Sequence, residues 1–358
     1  MALPSPVPDR YHRQRLLEDF GDARQERLAA SHACTVGCGA LGCAAADLLA
    51  RAGVGRLTIV DRDLVEITNL QRQVLFDQRH ADEGMPKAHA AGERIGEINS
   101  EVRAHPVLAD FAPANAEAVL LEGPLGRPDV IVDGTDNFET RFLINDLAVK
   151  HGLPYVYAGA VSTHAMAMTV LPGETPCLRC LFAGPPPAGS QPTCDTAGVL
   201  GPVISMVSGI QATEALKLLV GRRDLVRRTL VEIDPWRNTH RELDLAGLRD
   251  PACPCCAGRR FEFLEHSAAE PVALCGQQAV QISPTPGAKI DLAALAGRLA
   301  AHGPFEATRY LVRGELAGER SASGGPIGLT IFPDGRAIVS GVTDPVRART
   351  IYARYVGV

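Results

Sequence analysis

The fold is decided by residues 34–42, which read Cys34-Thr35-Val36-Gly37-Cys38-Gly39-Ala40-Leu41-Gly42. A short β-prone stretch leads into three glycines with G-x-G-x-x-G spacing, and an apolar, alanine-rich run follows. Such glycines let the backbone turn tightly and present N–H groups to an anionic phosphate at the start of a helix. The triplet also occurs in ordinary turns, so it is a weak signal by itself. It predicts the first strand, turn and helix of a Rossmann-like α/β sheet.

The next apolar run ends in an acidic residue at the position that a ribose-binding site requires. Leu57-Thr58-Ile59-Val60 has the pattern of a strand, and Asp61 follows it, about twenty residues after the glycines. A carboxylate there can accept hydrogen bonds from ribose hydroxyls. Together with Gly37, Gly39 and Gly42, Asp61 predicts a nucleotide site. This spacing leaves open whether the nucleotide is a nicotinamide dinucleotide or ATP.

Charged residues further along the chain favour ATP. Attack on an α-phosphate needs cations around a triphosphate and a place for a metal ion, whereas hydride transfer needs few charges beyond the pyrophosphate. Arg72, Lys87 and the acidic pair Asp133 and Asp136 offer those groups. The acidic pair follows an apolar strand pattern, and ligands of open α/β sheets bind at the carboxyl ends of strands. Without these surroundings, Arg72 and Lys87 would be interpreted as a solvated surface pair.

Composition and charge limit the class of protein. The 358 residues are 46% hydrophobic and 22% charged, with a formal net charge of −5, which is typical of a globular protein with one large and one small domain. The acidic balance argues against a nucleic-acid-binding surface. Because the N-terminal segment has no apolar core and no apolar run is long enough to cross a bilayer, we expect a cytoplasmic protein without a membrane association.

The remaining chain alternates between strand and helix patterns. Helices are expected at 40–52, 86–98, 138–151 and 209–219, and strands at 56–60, 101–107, 128–132, 155–158 and 165–171. The run at 128–132 is typical of a buried parallel strand. Beyond residue 264, strands are expected at 279–282, 310–314, 328–332 and 337–340, and helices at 291–302 and 344–355. These patterns predict a mostly parallel sheet flanked by helices, followed by a small α+β domain with an Asp-Gly hairpin turn.

Ten cysteines in such a chain favour metal or thiol chemistry over disulfides. Two C-x-x-C pairs lie on proline-flanked turns far apart in sequence, Cys177 with Cys180 and Cys253 with Cys256. Two such pairs make one tetrahedral site with four thiolate ligands. We therefore expect structural Zn²⁺ that ties the end of the large domain to its middle, with Cys255 as a possible substitute ligand.

The other cysteines divide into two groups. Cys34, Cys38 and Cys43 lie among apolar residues and are expected to be small core residues. Cys194 follows a proline- and glycine-rich stretch without periodicity and precedes a helix start. A thiol at such a junction could act as a nucleophile. The simpler alternative is an idle exposed cysteine.

The motifs together resemble the ThiF/MoeB (HesA) family, the ATP-dependent adenylyltransferases of sulfur-carrier proteins, which are related to ubiquitin-activating enzymes. The resemblance covers about residues 10 to 260 and preserves the order of the family's motifs. The motifs are Arg10-Tyr11-His12-Arg13-Gln14, the three glycines, Asp61-x-Asp63, Asn69-Leu70-Gln71-Arg72-Gln73, Pro86-Lys87, Asp133-Gly-Thr-Asp136-Asn137, both C-x-x-C pairs and Cys194-x-x-Ala-Gly-Val.

The resemblance implies an ATP site in the first half of the chain. In the family, the aspartate matching Asp61 binds the ribose of ATP, and the residues matching Arg72 and Lys87 hold its phosphates. Asp63 and Asn69 belong to the same motifs and are expected, with the glycines, to contribute to cofactor binding.

Three further roles are implied by the same resemblance. The aspartate matching Asp136 holds Mg²⁺, and the arginine matching Arg13 reaches the nucleotide of the neighbouring subunit, which implies a homodimer. The cysteine matching Cys194 is linked to a persulfide or thioester step in ThiF-like members and is dispensable in several MoeB-like members.

The implied reaction joins AMP to a protein. A small ubiquitin-like carrier inserts its Gly-Gly tail, and its carboxylate attacks the α-phosphate of ATP to give an acyl-adenylate and pyrophosphate. The site must supply positive charge where the pentacoordinate phosphorus forms, but no side-chain base is needed because the carboxylate is already ionised near pH 7. Sulfur then comes from a cysteine desulfurase or another donor, in thiamine or molybdenum-cofactor biosynthesis or in another pathway that presents a similar tail, such as cysteine synthesis or tRNA thiolation. The sequence does not distinguish these pathways.

The resemblance assigns residues 1–264 to the adenylyltransferase domain and leaves residues 265–358 as an accessory domain, for which carrier or donor docking is expected. The accessory domain shows no rhodanese active-site loop, although some relatives carry a rhodanese domain in this place. Cys275 could relay sulfur, and the simpler interpretation places it at a strand end.

Two other classes of protein fit part of the sequence. A nucleotide-linked oxidoreductase of the NAD type would use the glycine turn and Asp61, but it would leave Arg72 and Lys87 unexplained. A catalytically silent, zinc-stabilised binding module would not need the charged site positions, all of which are present.

Overall fold

The structure is a computed structural model that describes residues 9–185, 194–265, 272–274, 279–282 and 290–357. The chain forms two compact units, Met1–Ser267 and Ala268–Val358. Each unit has its own sheet and its own hydrophobic core. A search of the described residues finds no helix with the length and apolar character that a membrane span needs. Cys275 lies outside the described residues, as do the side chains of Cys194 and Asp195.

The first unit is built on an eight-stranded sheet in the order β3-β2-β1-β4-β5-β6-β7-β8. The strands are β1 His32–Val36, β2 Arg56–Asp61, β3 Arg103–Leu108, β4 Val130–Asp133, β5 Tyr155–Val161, β6 His164–Val170, β7 Thr229–Asp234 and β8 Thr239–Asp244. Strands β1 to β5 pair in parallel, and β5 to β8 pair antiparallel. The strand order reverses between β1 and β4, which is where Rossmann-like sheets bind their ligands. The predicted α/β class is confirmed.

Helices cover both faces of this sheet. They are α1 His12–Arg15, α2 Gly21–Ala30, α3 Ala40–Ala52, α4 Gln78–Asp82, α5 Lys87–Ile98, α6 Ala116–Leu121, α7 Phe138–His151, α8 Leu178–Leu181, α9 Cys194–Ala197, α10 Gly201–Leu219 and α11 Glu262–Glu265. Local caps explain the ends of α7, where the Asn137 side chain accepts a hydrogen bond from the Thr140 N–H (2.8 Å) and Gly152 takes the left-handed conformation.

The core positions these helices against the strands. Small residues of α3 and α10, including Ala44 and Val207, pack with Ala158 and Ala167 of the sheet, so that the two helices lie close together on one side. Helix α7 buries Phe142 and Leu147 in a second cluster that includes Tyr155. Cys34, Cys38 and Cys43 are buried, which confirms the prediction that they are core residues.

Two differences from the sequence expectations concern the second half of this unit. Helix α10 begins at Gly201 rather than at residue 209, because Pro202 occupies a first-turn position that needs no N–H donor. Strands β7 and β8 had no counterpart in the prediction. Every residue of β8 is exposed, so the strand lacks the alternation of buried and exposed residues that reveals a strand from sequence.

The second unit is a six-stranded antiparallel sheet in the order β11-β12-β13-β14-β10-β9. Its elements are β9 Val272–Leu274, β10 Ala279–Ile282, α12 Leu292–Leu299, β11 Phe305–Ala307, β12 Val312–Arg320, β13 Pro326–Ile331, β14 Ala337–Ser340 and α13 Pro345–Tyr355. Leu295 and Ile351 of the helices share a core with Leu329 and Val339 of the sheet. The predicted hairpin joins β13 to β14, and Gly335 takes the positive φ that its turn requires.

Candidate functional site

The glycine turn after β1 closes against the end of β4. Gly37 has φ +86°, and the Gly134 N–H donates to the Val36 carbonyl (2.7 Å). A Cβ atom at Gly42 would lie 1.9 Å from the Gly37 carbonyl oxygen, and one at Gly134 would lie 2.1 Å from the same oxygen. Gly39 is less crowded, since a Cβ there would meet nothing nearer than 3.7 Å. Gly42 and Gly134 are therefore required for packing, whereas Gly39 leaves space at the start of α3.

Asp61 ties the glycine turn to the end of β2. Its Oδ2 accepts a hydrogen bond from the Cys38 N–H (2.6 Å), and its Oδ1 accepts one from the Asp63 N–H (2.7 Å). Burial raises the pKa of Asp61 to about 6, while the charge of Lys87 opposes the shift. The carboxylate is thus ionised near neutral pH and lies beside the turn that is expected to hold phosphate.

Lys87 is a buried cation in the same place. It begins α5, and its Nζ lies 3.0 Å from Asp63 Oδ2. Burial lowers the pKa of Lys87, but the charges of Asp63 and Asp61 outweigh that effect and raise the pKa above its ordinary value. Lys87 therefore carries a positive charge at neutral pH, next to the two carboxylates.

Arg72 is held by a turn that follows β2. The buried Asn69 accepts a hydrogen bond from the Glu66 N–H through its Oδ1 (3.0 Å) and one from the Arg72 N–H through its carbonyl oxygen (3.1 Å). The Arg72 guanidinium donates to the Thr68 carbonyl (2.9 Å) and is partly exposed. Asn69 thus fixes the turn from which Arg72 projects.

The acidic pair at the end of β4 divides between two environments. Asp136 is exposed in the turn before α7. Asp133 is fully buried, and its carboxylate accepts hydrogen bonds from the Thr135 N–H (2.9 Å), the Thr135 hydroxyl (2.7 Å) and the Tyr155 hydroxyl (2.5 Å). The expectation that both acids offer a place for a metal ion is wrong for Asp133, because its carboxylate is fully buried and holds Thr135 and Tyr155. Only the Asp136 carboxylate of this pair faces solvent.

Arg13 lies away from the glycine turn of its own chain. It is exposed on α1, and the neighbouring Gln14 side chain donates to the carbonyl of Ala52 (2.8 Å), the last residue of α3. The glycine turn lies at the opposite end of this 13-residue helix, about 20 Å away at 1.5 Å per residue.

Cys194 begins α9, and the described backbone that follows pairs with Ser162, whose N–H donates to the Gly198 carbonyl (2.8 Å).

The two C-x-x-C pairs meet in space. The Sγ atoms of Cys177, Cys180, Cys253 and Cys256 all lie within 4.8 Å of one another, with separations of 3.4 to 3.9 Å for the closest pairs. Tetrahedral thiolate ligands at about 2.3 Å from zinc would be about 3.8 Å apart, so the four residues fit a metal ion. Cys255 is not part of this group. Its Sγ accepts a hydrogen bond from Asn145 Nδ2 (3.4 Å), and its use as a substitute ligand stays a prediction.

Comparison with known proteins then identifies the family. The model described as "ThiF family" matches residues 11–255, more than half of the chain. The chain belongs to the ThiF family. The family resemblance expected from the sequence motifs is thereby confirmed.

Relatives of this ThiF-family chain differ in how much of it they match. The Bacillus subtilis (strain 168) sulfur carrier protein ThiS adenylyltransferase is 39% identical over 350 residues, which cover 97% of this chain and 99% of that protein. A Thermus thermophilus sulfur carrier protein adenylyltransferase is 40% identical over 255 residues, which cover 69% of this chain and 90% of that protein. The pig (Sus scrofa) adenylyltransferase and sulfurtransferase MOCS3 is 39% identical over 250 residues, covering 70% of this chain and 53% of that protein. The similarity to the Bacillus protein therefore includes the second unit.

Solved structures share the fold of the ThiF-family unit. Escherichia coli MccB, crystallised with ATP, matches with a TM-score of 0.60 at 23% identity, over 69% of this chain and 74% of that chain. An identity this low establishes the common fold and nothing further.

Three residues important to the geometry were not singled out by sequence reasoning. Gly134 packs against the glycine turn, Asn145 contacts both cysteine-bearing segments through Cys255 and the Leu178 N–H (2.9 Å), and Arg141 is a buried cation behind the end of β4. The signal for Gly134 was its place directly after a strand-end aspartate. No local pattern marks the other two.

Proposed function

We propose that this protein adenylylates the C-terminal Gly-Gly carboxylate of a ubiquitin-like sulfur carrier, and that a ThiS-like carrier of thiamine biosynthesis is its substrate. The similarity to the Bacillus ThiS adenylyltransferase spans nearly the whole of both chains, whereas the match to MOCS3 covers 53% of that protein. This contrast favours the thiamine pathway over molybdenum-cofactor biosynthesis. The relatives named above are adenylyltransferases, which gives no support to an NAD-type oxidoreductase.

The observation that carries the proposal is the group beside the glycine turn formed by the buried Asp61 and Lys87 and the half-exposed Asp63. Asp61 is ionised at neutral pH and can accept hydrogen bonds from ribose hydroxyls. Lys87 is positively charged but paired with Asp63 through a 3.0 Å contact. A triphosphate carries more negative charge than one carboxylate, so the ammonium would exchange Asp63 for phosphate oxygens when ATP binds. Arg72 would add a second cation from its turn.

The residues of the site would promote attack by the carrier without a general base. The tail carboxylate is ionised near pH 7, and Lys87 and Arg72 would offset the repulsion between it and the triphosphate. Pyrophosphate would leave as the acyl-adenylate forms. Asp136 is the exposed carboxylate suited to Mg²⁺, which binds through one or two carboxylates together with substrate phosphates. When bound, the ion neutralises charge on the phosphate oxygens.

A homodimer would complete the site. Arg13 is about 20 Å from the glycine turn of its own chain, as judged from the length of α3, which is beyond the reach of an arginine side chain. The position of α1 is therefore consistent with an Arg13 that serves the nucleotide of a second copy.

The remaining parts of the proposal concern sulfur and zinc. We propose Zn²⁺ in the four-cysteine cluster, where it would hold the segment around Cys253 to the segment around Cys177. Cys194 is proposed as the thiol that attacks the carrier acyl-adenylate, so that a thioester forms and AMP leaves. Alternatively, it takes a persulfide sulfur from a cysteine desulfurase or similar donor in the cytoplasm by thiol exchange, and this persulfide then displaces AMP. The second unit is proposed to dock the carrier or the donor.

Carrier-dependent ATP–pyrophosphate exchange tests the central proposal. Purified ThiS-type and MoaD-type carriers should be compared with the same carriers lacking the last glycine, which should give no exchange. Lys87→Met should abolish exchange, whereas Lys150→Met, which removes a surface lysine 2.9 Å from Glu117, should leave it unchanged. If neither carrier supports exchange with the wild-type protein in the presence of Mg²⁺, the proposed function is wrong.

A further inference from the structure

A buried ion pair lies behind the turn that carries Asp136. Arg141 of α7 and Asp133 of β4 are both buried, and Arg141 Nε lies 3.9 Å from Asp133 Oδ2. The guanidinium carbon lies 5.2 Å from the centroid of the Phe138 ring and 5.6 Å from that of Tyr157. Burying two charges carries a large desolvation cost, and apolar residues of the same volume are often at least as stable. Packing alone therefore does not explain this pair.

The pair holds every backbone and side-chain polar group of Thr135. Arg141 Nη2 donates to the Thr135 carbonyl (2.9 Å), while Asp133 Oδ1 accepts from both the Thr135 N–H (2.9 Å) and its hydroxyl (2.7 Å). The preceding residue, Gly134, is packed against Gly37 and hydrogen-bonded to β1. The two residues that come immediately before Asp136 are thus fixed, although the Asp136 side chain is exposed.

Neighbouring elements fix Asp133 in turn. The Tyr155 hydroxyl of β5 donates to its Oδ2 (2.5 Å). Gln211 of α10 donates through Nε2 to the Asp133 carbonyl (2.8 Å) and to the Val156 carbonyl (2.9 Å). Arg141 Nε is buried without a hydrogen-bond partner in the described part of the chain. An arginine that leaves one donor unsatisfied while it binds the Thr135 carbonyl is placed for that bond, rather than for stability.

We propose that Arg141, Asp133 and Tyr155 form a positioning group that holds residues 134–136 and thereby sets the Asp136 carboxylate at the distance from the glycine turn that a metal-bound triphosphate needs. The inference rests on the proposed role of Asp136 in Mg²⁺ binding. The three residues touch neither nucleotide nor carrier in this scheme. They act through Thr135, and a misplaced Asp136 would bind Mg²⁺ less tightly in the ATP complex.

The test is the Mg²⁺ dependence of ATP binding, measured by titration calorimetry without a carrier. Arg141→Lys keeps the charge but loses the planar fork and the stacking, and it should raise the half-saturating Mg²⁺ concentration at least tenfold. Tyr155→Phe should raise it about threefold. Tyr157→Phe is the matched control, because it removes a buried hydroxyl from the same strand that is not bonded to Asp133, and it should match the wild type. High Mg²⁺ should restore ATP affinity in Arg141→Lys.

The outcomes separate this inference from the function on which it rests. If Asp136→Asn weakens Mg²⁺-dependent ATP binding while Arg141→Lys and Tyr155→Phe, with unchanged melting temperatures, behave like the wild type, the positioning group is refuted alone. If Asp136→Asn has no effect, both the metal role and the positioning group are refuted. If Arg141→Lys fails to fold, the comparison of Tyr155→Phe with Tyr157→Phe still tests the positioning group. Equal Mg²⁺ dependence of ATP binding in these two variants would overturn the inference.

Discussion

Replacing Gly42 by alanine should displace the glycine turn. The new Cβ would lie 1.9 Å from the Gly37 carbonyl oxygen, whereas real Cβ contacts are essentially never closer than 3.0 Å, so the oxygen must move by at least about 1.1 Å. Gly134 blocks the other side of this oxygen, because its own Cβ position is only 2.1 Å away. The turn and α3 must therefore separate from each other.

The magnitude follows from two opposing terms. Overpacking of this kind costs about 1–3 kcal/mol, and occasionally more, while alanine in a helix is favoured over glycine by about 1 kcal/mol. Gly96→Ala is the matched control, since Gly96 lies in α5 with nothing within 4 Å of its Cβ position. The free energy of unfolding of Gly96→Ala should rise by about 0.5–1 kcal/mol. Because both variants gain helix propensity, their free energies of unfolding should differ by the overpacking cost alone, about 1–3 kcal/mol.

Urea unfolding measures the stability difference, and ATP titration measures the functional one. A shift of about 1 Å in groups that position a reacting substrate can lower the reaction rate about a hundredfold. Because the displaced turn is the expected phosphate seat, Gly42→Ala should also bind ATP more weakly than Gly96→Ala. If Gly42→Ala is as stable as Gly96→Ala and binds ATP like the wild type, the crowding inferred at the turn is refuted.

Three further outcomes are expected. Because burial raises the pKa of Asp61 to about 6, the KM for ATP should rise as the pH falls through 6, and Asp61→Asn should abolish this dependence between pH 5 and 8. Lys87→Met leaves Asp61 and Asp63 without their buried cation. ATP affinity measured by calorimetry should therefore fall about ten- to hundredfold, as for a lost charged contact of about 1.5–3 kcal/mol, and an unchanged affinity would contradict this. Cys253→Ser should lose bound zinc, measured by elemental analysis, together with several degrees of melting temperature, whereas Cys255→Ser should retain the metal.

Local signals explain why much of the first sheet was predictable. The ends of α3 and α7 were predicted correctly, because the glycine turn, Asn137 and Gly152 cap these helices through short-range contacts. Strand β8 was not predictable, since its pairing with β7 is the main reason that it is a strand and its own residues are all exposed. Sequence patterns report burial and caps, so an exposed edge strand leaves little trace.

In the candidate site, too, local sequence signals predicted some features, whereas others depend on contacts with distant residues. The spacing between the glycines and Asp61 predicted a nucleotide site, but it could not show that Asp61 also holds the Cys38 N–H. Asp133 and Asp136 look alike in sequence, and only the neighbouring strand with Tyr155 determines which of them is buried. The role of Arg141 depends on the backbone path of the turn before its own helix, which no pattern of residue types specifies.

The positions of the four cysteines in the sequence also set the order of synthesis, folding and metal binding. Its two pairs are 76 residues apart in sequence, and the later pair follows all eight strands of the first sheet. A ribosome must therefore synthesise the whole sheet before the fourth thiol emerges. Closing so long a loop is entropically costly in an unfolded chain, so the nascent sheet would bring the pairs together before a metal joins them. If the cluster holds the proposed Zn²⁺, the metal would bind late, after the sheet has folded, and zinc-starved cells would accumulate folded chains without bound metal.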